Sequence, residues 1–414
     1  MPSKQSEILK SFLLVILSLV FSLVIIELIL SLFIWRNDYL PSADSPKAEY
    51  YGWTPLPNAK MKMRDPDGPE FFYYRINSHS WKDVEHSWVK KSGVYRILII
   101  GDSNTYGYVP LEAVYHRRLE QILRERSGRE IEVIGVGVCG WGPDQELEFL
   151  QREGLRYQPD LVIYQFSLND LQDIINPNDS TSTSSVYWNK KFKYTLENGE
   201  LKRIELAHSQ VKEKSKLKSK LKRSNFAYLL NLAKSSLKDL KSHKAQKREK
   251  FLDPQAYNYF RLTDPLYAKL IKAAPDNGEL TPIWNLWEKI ILEMKGSCEI
   301  HNCEFAVFSE FADSSLRKWY MDKNILINLK NHDYFVTGTD TMGIDFDLPA
   351  VVFSDICNRN NIKIVHARRE YDRFICDRHH TSLGNLHMAE DIADFLSEQD
   401  YFKESAPASP SKKK

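Results

Sequence analysis

Three short runs of branched apolar residues, Ile97–Ile100, Ile131–Val136 and Leu161–Phe166, constrain the fold more than any other feature of the chain. Each closes at a turn: Gly101-Asp102-Ser103 after the first, the glycine-rich stretch from Gly137 to Gly142 after the second, and Ser167-Leu168-Asn169-Asp170 after the third. Runs of this kind read as strands buried on both faces. Between the first two, Leu111, Val114, Tyr115, Leu119, Ile122 and Leu123 recur at helical spacing and Ser127-Gly128 supplies a stop, which predicts a helix over Leu111–Arg126. Between the second and third, Asp144 is placed to cap a helix from Gln145 to Glu153. Strand and helix thus alternate with short connections, the pattern of a parallel sheet covered by helices. Phe305–Phe308, after the helix-like Trp284–Lys295, and Ile362–Val365 continue the alternation. The predicted class is α/β.

The amino-terminal stretch obeys a different rule. From Ser11 to Trp35 the chain is almost unbroken Leu, Val, Ile and Phe, enough at about 1.5 Å per residue to cross a hydrocarbon core of about 30 Å. Its exit, Phe33-Ile34-Trp35-Arg36-Asn37-Asp38, lacks the small residues of a signal-peptide cleavage site, so an uncleaved single-pass anchor is expected. Lys4 and Lys10 precede it, which assigns the amino terminus to the cytoplasm and the bulk of the protein to the periplasmic or extracytoplasmic side. Glu27 interrupts the span, either as a single tolerated carboxylate or facing a partner helix or a thinned region of the bilayer.

The 414 residues leave room for this anchor, one sizeable α/β domain and insertions. The expected division is a stub and anchor at 1–36, a juxtamembrane lead-in at 37–91 with a strand-like Phe71–Ile76, a domain at 92–400, and a disordered tail at 401–414. The interval of about 171–282 interrupts the domain and is too long for an ordinary connection. Within it, Lys202 to Lys250 holds 16 Lys or Arg against 4 Asp or Glu, although the whole chain carries only +2. The near-neutral total argues against a nucleic-acid partner. The local excess predicts either a solvated helical insertion or a basic face turned toward anionic lipid or an acidic polymer. The five cysteines, Cys139, Cys298, Cys303, Cys357 and Cys376, are odd in number and scattered, so they form no disulfide framework. Cys298 with Cys303, or Cys357 with Cys376, could pair, or all could be buried free thiols. Cys298, His301 and Cys303 lack a second ligand pair at zinc-finger spacing, and neither a metal nor a cofactor is expected.

Ser103 sits just past a strand end, at the edge of an open α/β sheet where ligands bind. It is either a nucleophile or the cap of the helix that follows. Near the end of the chain, Asp377 precedes His379 by two residues and His380 by three, ahead of a predicted helix Leu386–Phe395. An Asp so placed can hold an imidazole Nδ1–H and leave Nε2 free as a base.

Taken together, Gly101-Asp102-Ser103-Asn104-Thr105-Tyr106-Gly107, Gly137-Val138-Cys139-Gly140-Trp141-Gly142-Pro143-Asp144-Gln145, Pro159-Asp160-Leu161-Val162, Asn169-Asp170 and the His379 region with Gly384-Asn385 resemble the SGNH, or GDSL-like, hydrolase family. The likeness is close over roughly 90–170 and good over 360–396. It implies a three-layer α/β/α, flavodoxin-like fold and a triad of Ser103, His379 and Asp377. It also implies an oxyanion hole made by the Ser103 and Gly140 backbone N–H groups and the Asn169 side-chain amide. Two positions depart from the family pattern. Ser167 stands where a glycine is usual, and the family's common Asp-to-His spacing of three selects His380, whereas ungapped distance to Gly384 selects His379. The activity implied is that of a membrane-anchored serine esterase passing through an acyl–Ser103 intermediate. An acylated cell-surface glycan is the first substrate expectation, with water or a sugar hydroxyl as acceptor. A lipid ester reached through the basic insertion, and a catalytically degenerate envelope scaffold, are the alternatives.

Overall fold

Each predicted apolar run forms a strand, and alternate side chains go to opposite layers. The computed structural model describes residues 4–37, 45–167, 169–174, 192–206, 224–230, 233–234, 281–310, 315–322, 326–329, 332–337, 340–344, 348–375, 377–399 and 401–402. The chain divides into two units, one of residues 1–37 and 210–252 and the other of residues 38–209 and 253–414.

In the first unit, helix α1 spans Lys4–Phe33, and its Lys10–Phe33 stretch has a mean hydropathy of 3.0. It is long and apolar enough to cross a membrane, as an anchor or a signal sequence does. Glu27 faces a partner: its carboxylate accepts the backbone N–H groups of Asn225 and Phe226 at 2.6 and 3.1 Å. The rest of the basic stretch Lys202–Lys250, apart from 202–206, 224–230 and 233–234, lies outside the described residues.

The second unit holds, in chain order, a hairpin of β1 (Lys60–Arg64) and β2 (Phe71–Arg75), then β3 (Tyr95–Gly101), α2 (Ser103–Tyr106), α3 (Tyr115–Ser127), β4 (Ile131–Gly137), α4 (Pro143–Arg152), β5 (Leu161–Phe166) and α5 (Asp170–Asp173). A second hairpin, β6 (Phe192–Glu197) and β7 (Glu200–Glu205), precedes α6 (Thr281–Ile300), β8 (Glu304–Ser309), α7 (Leu348–Arg359), β9 (Lys363–His366) and α8 (Ser382–Glu398). Three short antiparallel strands lie between β8 and α7, at Leu326–Leu329, His332–Thr337 and Asp340–Ile344.

The central sheet has five parallel strands in the order β9-β8-β5-β3-β4. Counted along the chain within the sheet, that is the flavodoxin-like order, whose switch point lies between the first and third strands. Ile97 and Ile99 of β3, with Val133, Ile163 and Phe308, pack into one layer with Leu119 of α3 and Met388, Ile392 and Leu396 of α8. Leu98 and Ile100, with Val136, Val162, Tyr164 and Val307, pack into the opposite layer with Phe149 of α4, Trp287 and Ile291 of α6 and Phe353 of α7. The three-layer α/β/α architecture follows from this alternation.

Element ends shift for local reasons. Val114 is extended (ψ 141°), so Leu111–Ala113 forms a separate turn and α3 begins at Tyr115. Helix α4 starts with Pro143 at its first position and Gly142 as cap, so Asp144 lies inside the first turn instead of capping it. Helix α8 starts at Ser382 because the Thr381 side chain accepts the Gly384 N–H. Cys139, Cys298, Cys303 and Cys357 are buried free thiols, while Cys376 and the tail beyond 402 lie outside the described residues.

The lead-in contributes to the core. Tyr51, Trp53 and Trp81 are buried with Trp141 and Phe149. Trp53 Nε1 donates to the Cys139 carbonyl at 3.1 Å, Trp141 Nε1 donates to the Trp53 carbonyl at 3.0 Å, and Gln145 Nε2 donates to the Tyr51 carbonyl at 2.6 Å. The glycine loop after β4 is therefore clamped from outside the sheet. Asp83 makes a second tie: its carboxylate accepts the Gly135 N–H at 2.8 Å and pairs with Arg117 and His86, both at 3.0 Å.

Burial alone would raise the Asp83 pKa, but Arg117 and the neighbouring histidines hold it well below the usual range. Breaking such a buried pair typically costs about 3–5 kcal/mol, so Asp83→Asn is expected to lower the urea unfolding free energy by about that much. For His86, burial works against the charge, yet its bonds to Asp83 and Glu132 raise its pKa to about 9. Its contribution is full below the ordinary histidine value near 6.5 and is lost as pH rises through about 9. The stability deficit of His86→Gln should accordingly be large at pH 6 and shrink by pH 10.

Candidate active site

The carboxyl ends of β3, β4 and β5 meet at the switch point, and three loops converge there. After β3, Asp102 is the cap of α2: its carboxylate accepts the Asn104 N–H at 2.9 Å. Ser103 is the first residue of that helix and does not cap it. A side chain at Gly137, the end of β4, would come within 2.1 Å of the Tyr106 backbone nitrogen, so only glycine lets α2 sit this close to the sheet. Gly140 follows in a left-handed conformation (φ 75°) that a side chain would disfavour.

Ser103 Oγ lies 2.9 Å from His379 Nε2. His379 Nδ1 bonds Asp377 Oδ1, and the His379 backbone N–H donates to the same oxygen at 2.9 Å. Burial opposes ionisation of Asp377, but the imidazole and this N–H hold its pKa well below the usual carboxylate range. The loop is anchored by Asn385, whose amide donates to the His380 and Thr381 carbonyls at 3.2 and 2.9 Å while its oxygen accepts the Tyr115 N–H at 3.1 Å. His380 is engaged elsewhere: its Nε2 lies 2.8 Å from Glu310 Oε2, which also pairs with Arg373 at 2.7 Å.

Asn169 joins the group through Asp102. Its Nδ2 donates to Asp102 Oδ2 at 2.9 Å and to Asp173 Oδ2 at 3.1 Å, so both amide hydrogens are directed at carboxylates. Among the described residues the Ser103 and Gly140 N–H groups make no hydrogen bond. Ser167 is accommodated by polar partners: its Oγ accepts from Asn104 Nδ2 at 2.9 Å and from Gln165 Nε2 at 2.7 Å.

Sequence reasoning did not single out Asp102 or Glu310. Glu310 directly follows β8, and Asn104 Nδ2 reaches its second oxygen at 3.2 Å. The signal that would have found it is the one that found Ser103, a polar residue at the carboxyl end of a parallel strand.

Residues 99–236 match the model of the GDSL-like Lipase/Acylhydrolase family. The chain carries a GDSL-like lipase/acylhydrolase domain. It is accordingly a hydrolase acting on ester bonds. The match to the GDSL-like family contains Ser103, Gly140 and Asn169, whereas Asp377 and His379 lie beyond it. Among solved structures, the chain is similar to the lipase/acylhydrolase from Enterococcus faecalis, 12% identical over 74% of this chain and 96% of that chain, with a TM-score of 0.34. It is also similar to a carbohydrate acetylesterase family member from Sinorhizobium meliloti, 10% identical over 73% and 98%, with a TM-score of 0.35. The acetyl xylan esterase AlAXEase is 12% identical over 73% and 99%, with a TM-score of 0.35. No curated protein matches the chain.

Beside the site of this GDSL-like domain lie further buried carboxyl groups, Asp144, Glu146, Asp170 and Asp173. Neither Glu146 oxygen has a hydrogen-bond partner among the described residues. Burial, and then the charges of Asp170 and Asp102, raise the Glu146 pKa well above its ordinary value, and burial with Asp102 does the same to Asp170. A carboxyl group whose folded pKa is raised binds its proton more tightly in the folded state, so stability falls as pH climbs above the unfolded value. The slope is about 1.4 kcal/mol per pH unit for one proton. Glu146→Gln is therefore expected to fold at least as stably as wild type at pH 7 and to flatten the decline between pH 5 and 8, measured by urea denaturation across that range.

Proposed function

We propose that the chain is a serine esterase that forms an acyl–Ser103 intermediate and acts on an O-acylated cell-surface carbohydrate. The observation that carries the reading is the unbroken contact series from Ser103 Oγ through His379 to Asp377. Ser103 Oγ attacks the ester carbonyl as its proton passes to His379 Nε2. Asp377 holds the Nδ1–H tautomer and stabilises the imidazolium that forms. The carbonyl oxygen becomes an oxyanion, for which the uncommitted Ser103 and Gly140 N–H groups are the first donors. Asn169 joins them when the oxyanion displaces one of its two carboxylate acceptors. The imidazolium then gives its proton to the departing alcohol oxygen. Water, or a sugar hydroxyl in a transfer reaction, next loses a proton to His379 and attacks the acyl carbon, which frees Ser103. Helix α1 serves as the anchor in this reading and holds the enzyme at the outer face of a membrane.

Fluorophosphonate treatment followed by digestion and mass spectrometry is expected to find the adduct on Ser103. His379→Ala should abolish both the adduct and ester hydrolysis, and Asp377→Asn should lower kcat by on the order of 10⁴-fold. His380→Ala should keep the adduct; loss of hydrolysis in that variant alone would overturn the choice of base. Acetylated sugars should be turned over and lysophospholipids should not. A reporter fused after Lys414 should work only outside the cytoplasm.

A further inference from the structure

The Tyr108 ring lies flat on the His379 imidazole, with centroids 4.0 Å apart and 22° between the planes. At its far end the Tyr108 hydroxyl donates to Cys139 Sγ at 3.7 Å, next to Gly140. The backbone on both sides of this tyrosine is gripped by a single side chain. Lys82 Nζ donates to the Gly107 carbonyl at 2.7 Å and to the Val109 carbonyl at 2.8 Å. Lys82 is only 2% exposed and has no carboxylate partner among the described residues. Its ammonium lies instead over the rings of Tyr74, Tyr106 and Phe72, at 4.6, 5.1 and 5.4 Å.

A buried ammonium with no carboxylate in ion-pair contact is costly, and burial pushes Lys82 down to about 7 although the Glu112 charge acts in the opposite direction. Two carbonyls and three aromatic faces are what hold it there. All of that expense is localised on the tripeptide that carries Tyr108. An imidazole bonded at Nδ1 and Nε2 can still tilt about the line through those bonds. A ring packed on its face removes the tilt and keeps water off that face. A misplacement of about 1 Å in such a group can cost about 10²-fold in rate.

We propose that Tyr108 is a positioning residue for His379 and that Lys82 acts through it, by fixing the Gly107–Val109 backbone. The inference rests on the reading of His379 as the base that serves Ser103. Neither residue takes part in the proton or acyl transfer itself.

The test uses the full chain, a p-nitrophenyl acetate assay, the rate of fluorophosphonate labelling and thermal melting. Tyr108→Phe keeps the stacked ring and should stay within about twofold of wild type in kcat. Tyr108→Leu keeps bulk without the flat face and should lose on the order of 10–100-fold in kcat and in labelling rate, with KM within about twofold. Lys82→Met changes neither stacked ring and should lose kcat in the same way, by a smaller factor. The double variant should lose no more than Tyr108→Leu alone, because the two residues act in series. Melting temperatures bring any folding defect into view, and Lys82→Met carries the test if Tyr108→Leu unfolds. The proposal is overturned if Tyr108→Leu matches wild type, if Phe falls as far as Leu, or if the two losses multiply. Wild type that labels at Ser103 while the variants behave this way separates that failure from failure of the esterase reading. Wild type that does not label at Ser103 removes the basis of both.

Discussion

The site depends on one buried carboxylate. Asp102, at the end of β3, accepts the Asn104 N–H and the Asn169 amide, each at 2.9 Å, and Ser103 Oγ lies 3.4 Å from the same oxygen as Asn169. Carboxylate oxygens accept hydrogen bonds, and these two gather donors around themselves. Through it, the helix that begins at Ser103 and the turn that carries Asn169 become one rigid piece, although they follow different strands. The flavodoxin-like strand order makes this possible, because the loops after its first and third strands part company at the switch point and leave a crevice between them.

The parts of the fold that rest on the parallel sheet were legible because strands covered on both faces must be apolar at every position, which leaves continuous runs such as Ile97–Ile100 and Leu161–Phe166. The glycines were legible because close approach leaves no substitute, as at Gly137. His379 and His380 are neighbours with the same chemistry, and the structure sets His379 against Ser103 while Glu310, more than 60 residues upstream, engages His380. No local pattern contains that information. The same holds for Lys82, since a lysine in a charged lead-in reads as exposed until its carbonyl partners are known.

The segment from Ser80 to Asp83 shows why the lead-in is inseparable from the core. Ser80 takes a left-handed backbone (φ 76°), and the next three side chains then serve three places. Trp81 enters the aromatic layer against Trp141 and Phe149. Lys82 grips the loop on either side of Tyr108. Asp83 binds the edge strand at Gly135 and the α3 residue Arg117. A hydrophobic contact, a buried cation and a buried anion thus hold the glycine loop, the Tyr108 loop and the sheet edge in mutual register. Loss of any one of them disturbs the others through a stretch of four residues.

Buried negative charge bears on the proposed acyl–Ser103 mechanism. In the proposed reaction an oxyanion would form beside Asp102, which interacts in turn with the buried Glu146 and Asp170. At an effective dielectric constant of 20, each like charge at about 4 Å opposes it by about 4 kcal/mol, falling with distance. If every carboxyl were ionised, that repulsion would offset the gain from an oxyanion donor, about 2.7–4 kcal/mol. Burial and mutual repulsion instead raise Glu146 and Asp170 well above their ordinary values, which favours the neutral form of each. Tyr164 and the Ser167 N–H donate to Asp170 Oδ2, at 2.6 and 3.1 Å, while its other oxygen has no hydrogen-bond partner among the described residues. The raised pKa values thereby lessen the charge that the cluster would set against an oxyanion in the proposed reaction.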